Sequence, residues 1–283
     1  MADYFTARGL PVPRELSQNP LTDWKRNAIL ALTLITIAIG VRVTNIDFSY
    51  ANPEYAGRQI AQLFHWDTRI LVPQNEFETY WDTAEGLMVV TIFLGIIATV
   101  FAIIVAIPLS FLGARNIMAG NPISMAVYTV VRLVFTVVRS IDVLIVVIVM
   151  AILLGIGNAA GVLGLAFHNF GVLGKLYSEA IESIDAGPIE AITATGANRF
   201  QVIWTAVVPQ IVNPYISFTI YRLDANVRLA PILGLVGGGG IGIMLFQSIN
   251  LFQYGAAGLI IFMIIVTVGI MDFLSGQIRR RLA

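Results

Sequence analysis

The sequence predicts an all-α polytopic membrane protein, and three observations carry that expectation. Hydrophobic residues make up 57% of the 283-residue chain and charged residues only 12%, with a mean hydropathy of +0.82. Apolar runs near 28–46, 86–112, 139–156, 161–181, 210–235 and 255–276 approach or exceed the roughly 20 residues a helix needs to cross a bilayer. Lys and Arg cluster before, between and after these runs in the pattern expected of cytoplasmic segments. The chain has no cysteine, which excludes disulfides, thiolate metal sites and thiol catalysis. Its two histidines, His65 and His168, leave little for a metal site or proton relay. A net charge of zero gives no reason to expect nucleic acid.

Residues 1–27 are polar and precede the first apolar run, so they read as a cytoplasmic tail rather than a signal peptide. Residues 28–283 form the membrane domain. Arg8, Arg14, Lys25 and Arg26 stand before the first span, Arg115 follows the second, and Arg279, Arg280 and Arg281 follow the last. The 45–85 loop sets Arg58 and Arg69 against seven acidic residues, which suits the outside. Six spans with both termini in the cytoplasm satisfy this division, and they place the 182–209 loop in the cytoplasm too. The external loop is too long for a simple connector. Its aromatic residues Tyr50, Tyr55, Phe64, Trp66, Phe77, Tyr80 and Trp81 fit a packed interfacial cap as well as a docking surface.

Residues 122–138 carry Arg132 and read as an interfacial helix or the start of a long third span; Arg139 has Asp142 three residues on. Lys175, Glu179 and Glu182 form an expected ion-pair cluster where the fourth span leaves the membrane, and His168 reads as a hydrogen-bonded interior group. The fifth span holds Arg222, Asp224, Asn226 and Arg228. Charges at membrane depth are costly and mark a pathway or an internal pair. Asp224 and Arg228 form an i,i+4 pair in the favourable order, whereas Arg222 has no partner in its own helix. Counting about 1.5 Å per residue from Pro209 at the inner surface puts Arg222 about 20 Å in and Arg228 about 28 Å in. Arg222, Asn226 and Arg228 are the candidate path residues, with Arg222 the preferred anion contact because a guanidinium fork suits a tetrahedral oxyanion. Gly237, Gly238, Gly239 and Gly240 cannot make a robust helix. They read as an external gate or as close helix packing. Asp272 is expected to pair with a basic residue of a neighbouring helix.

Residues 190–209, EAITATGANRFQVIWTAVVP, are mixed in polarity between strongly apolar runs. Pro188 suits a first helical turn, Gly196 stops that helix at positive φ, Asn198 caps a second, and Pro209 opens the next long segment. The product is a bent helix–turn–helix able to lie in a groove of a partner. Glu190, Ala191, Gly196 and Pro209 have the spacing that resembles the EAA loop of ABC-importer permeases.

SFLGARN (110–116), GVLGKLYSEAIESIDAGPIEAITATGANRFQVI (171–203), VPQIVNPYISFTIYRLDANVR (208–228), LGLVGGGGIG (233–242) and MDFLSGQIRRRL (271–282) extend that likeness. In this order they resemble the permease of phosphonate-type ABC importers. Two departures stand out: Asp142 occupies the place of a proline after Arg139-Ser140-Ile141, and the cluster reads VGGGGIG rather than VGAGGIG. The resemblance implies a type I importer permease fold and a second copy of the chain. It also implies two cytoplasmic ATPase subunits, which use ATP and Mg, and an external solute-binding protein. It implies import of phosphonate or a related phosphorus oxyanion (phosphite, phosphate) through a bacterial cytoplasmic membrane. The chain itself carries no enzyme activity or cofactor on this reading. Gly174-Lys175 fails the phosphate-cradle pattern because Asn169 stands where a Gly belongs and Leu176 follows the Lys. Residues 237–242 fit G-x-G-x-x-G only formally, since no βαβ unit surrounds them. Rival readings are an importer for another small solute such as an amino acid, an ion-coupled secondary transporter or channel, and an intramembrane enzyme.

Overall fold

The computed structural model describes residues 7–9, 20–44, 53–75 and 78–282; Arg14, Tyr50 and Phe77, singled out above, lie outside them. The described residues are helical or irregular, with no strand among them. The chain divides into two compact units, residues 1–57 and 58–283. The first contains helix α1 (Pro20–Thr44), so the first span begins before the expected tail ends. Helix α2 (Pro53–Leu63) begins in the first unit and ends in the second.

The second unit continues with α3 (Ala84–Leu112), α4 (Arg115–Met118), α5 (Pro122–Ser140), α6 (Val143–Leu154) and α7 (Asn158–Glu182). It ends with α8 (Ala186–Ala194), α9 (Arg199–Val202), α10 (Val208–Leu235), α11 (Ile241–Asn250) and α12 (Tyr254–Leu282). Among the described residues five stretches are long and apolar enough to cross a membrane: Trp24–Thr44, Ala84–Leu112, Pro122–Ser140, Asn158–Glu182 and Tyr254–Arg280. At 28 residues α10 is also long enough, about 42 Å, but Arg222, Asp224 and Arg228 interrupt its apolar character.

Local chemistry sets the ends. Thr83 caps α3 by accepting from the Gly86 amide at 3.3 Å. Pro122 starts α5 behind the cap of Asn121, where its missing N–H is not needed. Pro209 does the same for α10, after a single π turn at Ile203–Val207.

Helix α7 is the hub, packed by α3, α5, α6 and α10. Glycine makes the approach close. A Cβ on Gly174 would stand 2.3 Å from the Phe135 ring, on Gly171 2.7 Å from Val138, and on Gly164 2.6 Å from Val147. Each step forward along α5 and α6 is thus matched by a step back along α7. The two helices are one broken span, interrupted at Ile141–Asp142, where both residues are extended. This corrects the expected span at 139–156. The helix reaching into it begins at Pro122, and α6 has only 12 residues, too few to cross alone. Asp142 accounts for the break, since its carboxylate accepts from the Leu144 amide at 2.8 Å and so caps a new helix.

Within the 45–85 loop, residues 63–66 pack against α12. Trp66 lies against Phe262 with ring centroids 4.6 Å apart, and a Cβ on Gly258 would fall 1.9 Å from the Leu63 carbonyl. Buried clusters fill the interior. Ala102, Ala106, Leu173, Tyr177, Ile211 and Tyr215 occupy one end, and Leu94, Ala98, Val147, Leu165 and Leu233 the other. Burial of this kind contributes about 25 cal/mol per Å² of apolar surface removed from water. Within a bilayer the same small-residue contacts act through packing instead.

Candidate functional site

The mid-depth polar residues are the first candidate. Tyr215 on α10 hydrogen-bonds Ser110 at 2.7 Å, near the inner end of α3. Asn226 donates to Thr99 at 2.7 Å, midway along α3. The opening turns of α10 therefore project beyond the inner end of α3. Arg222 and Arg228 lie nearer the middle of the bundle than a count from Pro209 places them, which corrects the depth expected for Arg228.

Arg222 reaches α7, where its Nε donates to Asn169 Oδ1 at 3.1 Å and its Nη2 makes a closer bond to the same oxygen. No acid among the described residues pairs with it. Asn169 is fully buried, and its Nδ2 finds no acceptor. The cluster is thus rich in donors and poor in acceptors. Arg228 behaves otherwise, bonding Asp224 at 3.1 Å and Asp272 at 2.7 Å, as the i,i+4 spacing and the expected partner for Asp272 both require. It ties α10 to α12 and is not available as an anion contact in this arrangement. Asn226 is fully buried against α3, so it also serves packing, although it shares a helix face with Arg222. Its Oδ1 has no partner.

Around the inner end of α7 the expected cluster forms with one addition. Lys175 lies 4.0 Å from Glu179, and Arg132 reaches Glu179 at 3.6 Å and bonds Glu182 at closer range. Glu182 also accepts from the Arg115 amide at 2.8 Å, closing a clamp between α4, α5 and α7. His168 Nδ1 lies 3.1 Å from the Ile141 carbonyl; the ring donates there and satisfies the broken span.

The glycine run is held. Gly157 N–H donates to the Gly237 carbonyl at 2.9 Å. The Gly240 amide donates to Asn158 at 3.2 Å, and the Ile241 amide to Thr91 at 2.8 Å. Gly237, Gly239 and Gly240 have φ of 96°, 84° and 69°, a region other residues avoid. A Cβ on Gly161 would meet the Gly238 carbonyl at 2.0 Å, so the close-packing reading describes this arrangement. A cavity of about 610 Å³ opens above the run, lined by Gln74, Glu78, Asp82, Asn158 and Gln247 among others.

The 182–209 hairpin forms as its residues dictate. Asp185 caps α8, which includes Pro188, Glu190 and Ala191. Gly196 stops it at φ 82°. Asn198 and Gln201 cap each other's amides at 2.8 and 2.9 Å, a capping box that opens α9. Gln210 accepts from the Asp185 amide at 3.0 Å, binding the start of the hairpin to the start of α10. Phe200 and Trp204 project from it with 85% and 74% of their surface exposed. Sequence reasoning passed over this pair, although two aromatics four residues apart in a polar loop mark one helix face. It also missed Asn169, whose role depends on a contact 53 positions away. Gly174 packs inside a span against Phe135, so Gly174-Lys175 is part of a helix.

The profile of the family described as "Binding-protein-dependent transport system inner membrane component" matches residues 106–283. A phosphate-import permease of Mycolicibacterium smegmatis is 41% identical over 192 residues, covering 68% of this chain and 35% of that one. A putative phosphite transport system permease of Stutzerimonas stutzeri is 43% identical over 155 residues, covering 55% and 59%. The matches thus span about a third and somewhat over half the length of these two relatives. In fold the chain resembles an inward-facing methionine ABC transporter, with a TM-score of 0.59 at 21% identity over 69% of this chain and 94% of that one.

Proposed function

Because the chain belongs to the family of binding-protein-dependent transport system inner membrane components, we propose that it is the permease subunit of an ATP-driven importer for phosphonate, phosphite or phosphate. The observation that carries the solute class is Arg222, a mid-depth guanidinium whose acceptor is the neutral Asn169 rather than an acid. An arginine without a counter-charge inside a membrane protein is costly, and a transiting oxyanion supplies the missing charge. The names of the two relatives point to the same solutes. On this reading two copies of the chain form the path, and both termini face the cytoplasm. The hairpin with Glu190, Ala191 and Gly196, leading to Pro209, docks two ATPase subunits that use ATP and Mg. An external binding protein delivers the solute, and Gly237–Gly240 close the outer end of the path.

The test is uptake by proteoliposomes carrying the chain with its ATPase and binding protein. ATP-dependent uptake of labelled phosphite, phosphonate or phosphate that collapses in Arg222→Gln supports the reading. Uptake of methionine and none of the phosphorus oxyanions overturns it in favour of an amino acid importer, and uptake without ATP overturns it in favour of a secondary transporter.

A further inference from the structure

The interruption at Ile141–Asp142 lies level with the middle of α7. A Cβ on Gly171, midway along the 25-residue α7, would stand 3.0 Å from the Arg139 amide, and His168 on the same stretch meets the Ile141 carbonyl. Irregular backbone at this depth persists only when buried in protein or lining a water-filled cavity, and here Arg139, Ser140, Ile141 and Asp142 are all exposed on the single chain. No described acid pairs with Arg139. Asp142, three residues on, is turned instead to the Leu144 amide. That carboxylate already takes the Leu144 amide at the start of α6, so the positive group that the break presents is the Arg139 guanidinium itself. His168 stands between the two regions, within electrostatic reach of both Asp142 and Arg222.

A charged side chain facing hydrocarbon at mid-depth is strongly unfavourable, so this face needs water or polar protein against it. We infer that the break at Ile141–Asp142 lines the aqueous solute path and that Arg139 is a second oxyanion contact at the level of Arg222; this rests on the oxyanion-import reading above. Two guanidiniums at one depth, each without a carboxylate partner, suit a tetrahedral oxyanion bearing two charges. Each fork donates paired hydrogen bonds, and no described acid forms an ion pair with either.

The chain has no cysteine, so single thiols report cleanly. In the reconstituted transporter with its ATPase, Ser140→Cys is exposed to a membrane-impermeant anionic methanethiosulfonate. Ile152→Cys, at an exposed apolar position of α6, is the hydrocarbon-facing control. The expected result is labelling of Ser140→Cys at least about tenfold faster than the control, slowed by inorganic phosphate or phosphite. Arg139→Gln should lower uptake at least about tenfold at unchanged membrane level, with Arg139→Lys restoring part of it. Equal, slow labelling of both thiols with and without ATP overturns the lining, because it leaves a second copy or lipid against the break. Normal uptake by Arg139→Gln overturns the contact. Failure of the wild-type protein to import any phosphorus oxyanion strikes the functional reading and the Arg139 contact with it, while the labelling arm still decides whether the break lines an aqueous path.

Discussion

Asn169→Asp separates a solute-contacting Arg222 from a structural one, because the two roles predict different changes. In the native chain the Arg222 Nε donates to a neutral oxygen at 3.1 Å. A carboxylate there converts neutral-acceptor bonds into an ion pair, and charge-assisted bonds are roughly twice as strong as neutral ones. The Coulomb gain, about 4 kcal/mol at 4 Å for an effective dielectric of about 20, is offset in large part by desolvating the new charge. A net tightening of about 1.4–2 kcal/mol is a fair expectation, and it withdraws Arg222 from an anion by about 10- to 30-fold. Uptake by proteoliposomes, normalised to reconstituted protein, should fall by that factor while the melting temperature holds or rises. Were Asn169 and Arg222 merely packing partners, the same tightening would leave uptake at its wild-type level. Wild-type uptake by Asn169→Asp, or a lowered melting temperature, refutes the reasoning.

Four further outcomes follow from particular contacts. Arg228→Gln removes the cation from Asp224, whose side chain is 7% exposed, and from the half-exposed Asp272. It should cost about 1–3 kcal/mol, read as a lower melting temperature, while the protein that folds keeps its uptake. Gly161→Ala drives a methyl into the Gly238 carbonyl and should destabilise by about 1–3 kcal/mol, seen in melting temperature and in loss of monodisperse protein. Gly196→Val places a β-branched residue at φ 82°, where it is strained; the ATPase should no longer co-purify, although the chain still inserts. The Asp82 carboxyl is held below its ordinary value of 3.8, first by the Thr79 amide and then by the Thr79 hydroxyl. A depressed carboxylate gives stability that is present above pH 3.8 and is lost as pH falls through its lowered value. Hydrogen exchange at the Thr79 amide should therefore stay slow below pH 3.8 and accelerate only on further acidification.

What was legible in the sequence depended on how local the governing contact is. Pro188, Gly196 and Asn198 act within a few residues, through a first helical turn, positive φ and a side-chain cap, so the hairpin can be drawn from the letters. The Asp224–Arg228 pair is one turn apart and equally plain, and its completion by Asp272 needed only an acid on another span. The broken span was hidden because VLIVVIVMAILL reads as one apolar run; the signal was Asp142 before it, an N-cap residue beginning a helix inside the membrane. Depth was misjudged for a different reason. Counting from Pro209 assumes that α10 starts at the bilayer surface, whereas Tyr215 meets Ser110 near the inner end of α3. Asn169 gave no local sign, since its acceptor role exists only once α10 lies against α7.

The same two helices are joined twice. At the inner side Gln210 of α10 holds Asp185, three residues beyond the end of α7, and the hairpin closes the loop between them. At mid-depth Arg222 of α10 holds Asn169 of α7. Between these links Tyr177 and Tyr215 stack at 4.0 Å, and Tyr177 hydrogen-bonds Thr219 at 2.6 Å. A displacement applied to the hairpin therefore reaches α7 and α10 together, through hydrogen bonds and a stacked pair that hold their inner halves in register. The Arg222–Asn169 contact stands at the upper end of that coupled segment. It is charged on one side only and so is weaker than the salt bridges at Arg132 and Arg228. Under the proposed mechanism, it is the link most easily exchanged for a passing oxyanion while the stronger pairs keep the helices assembled.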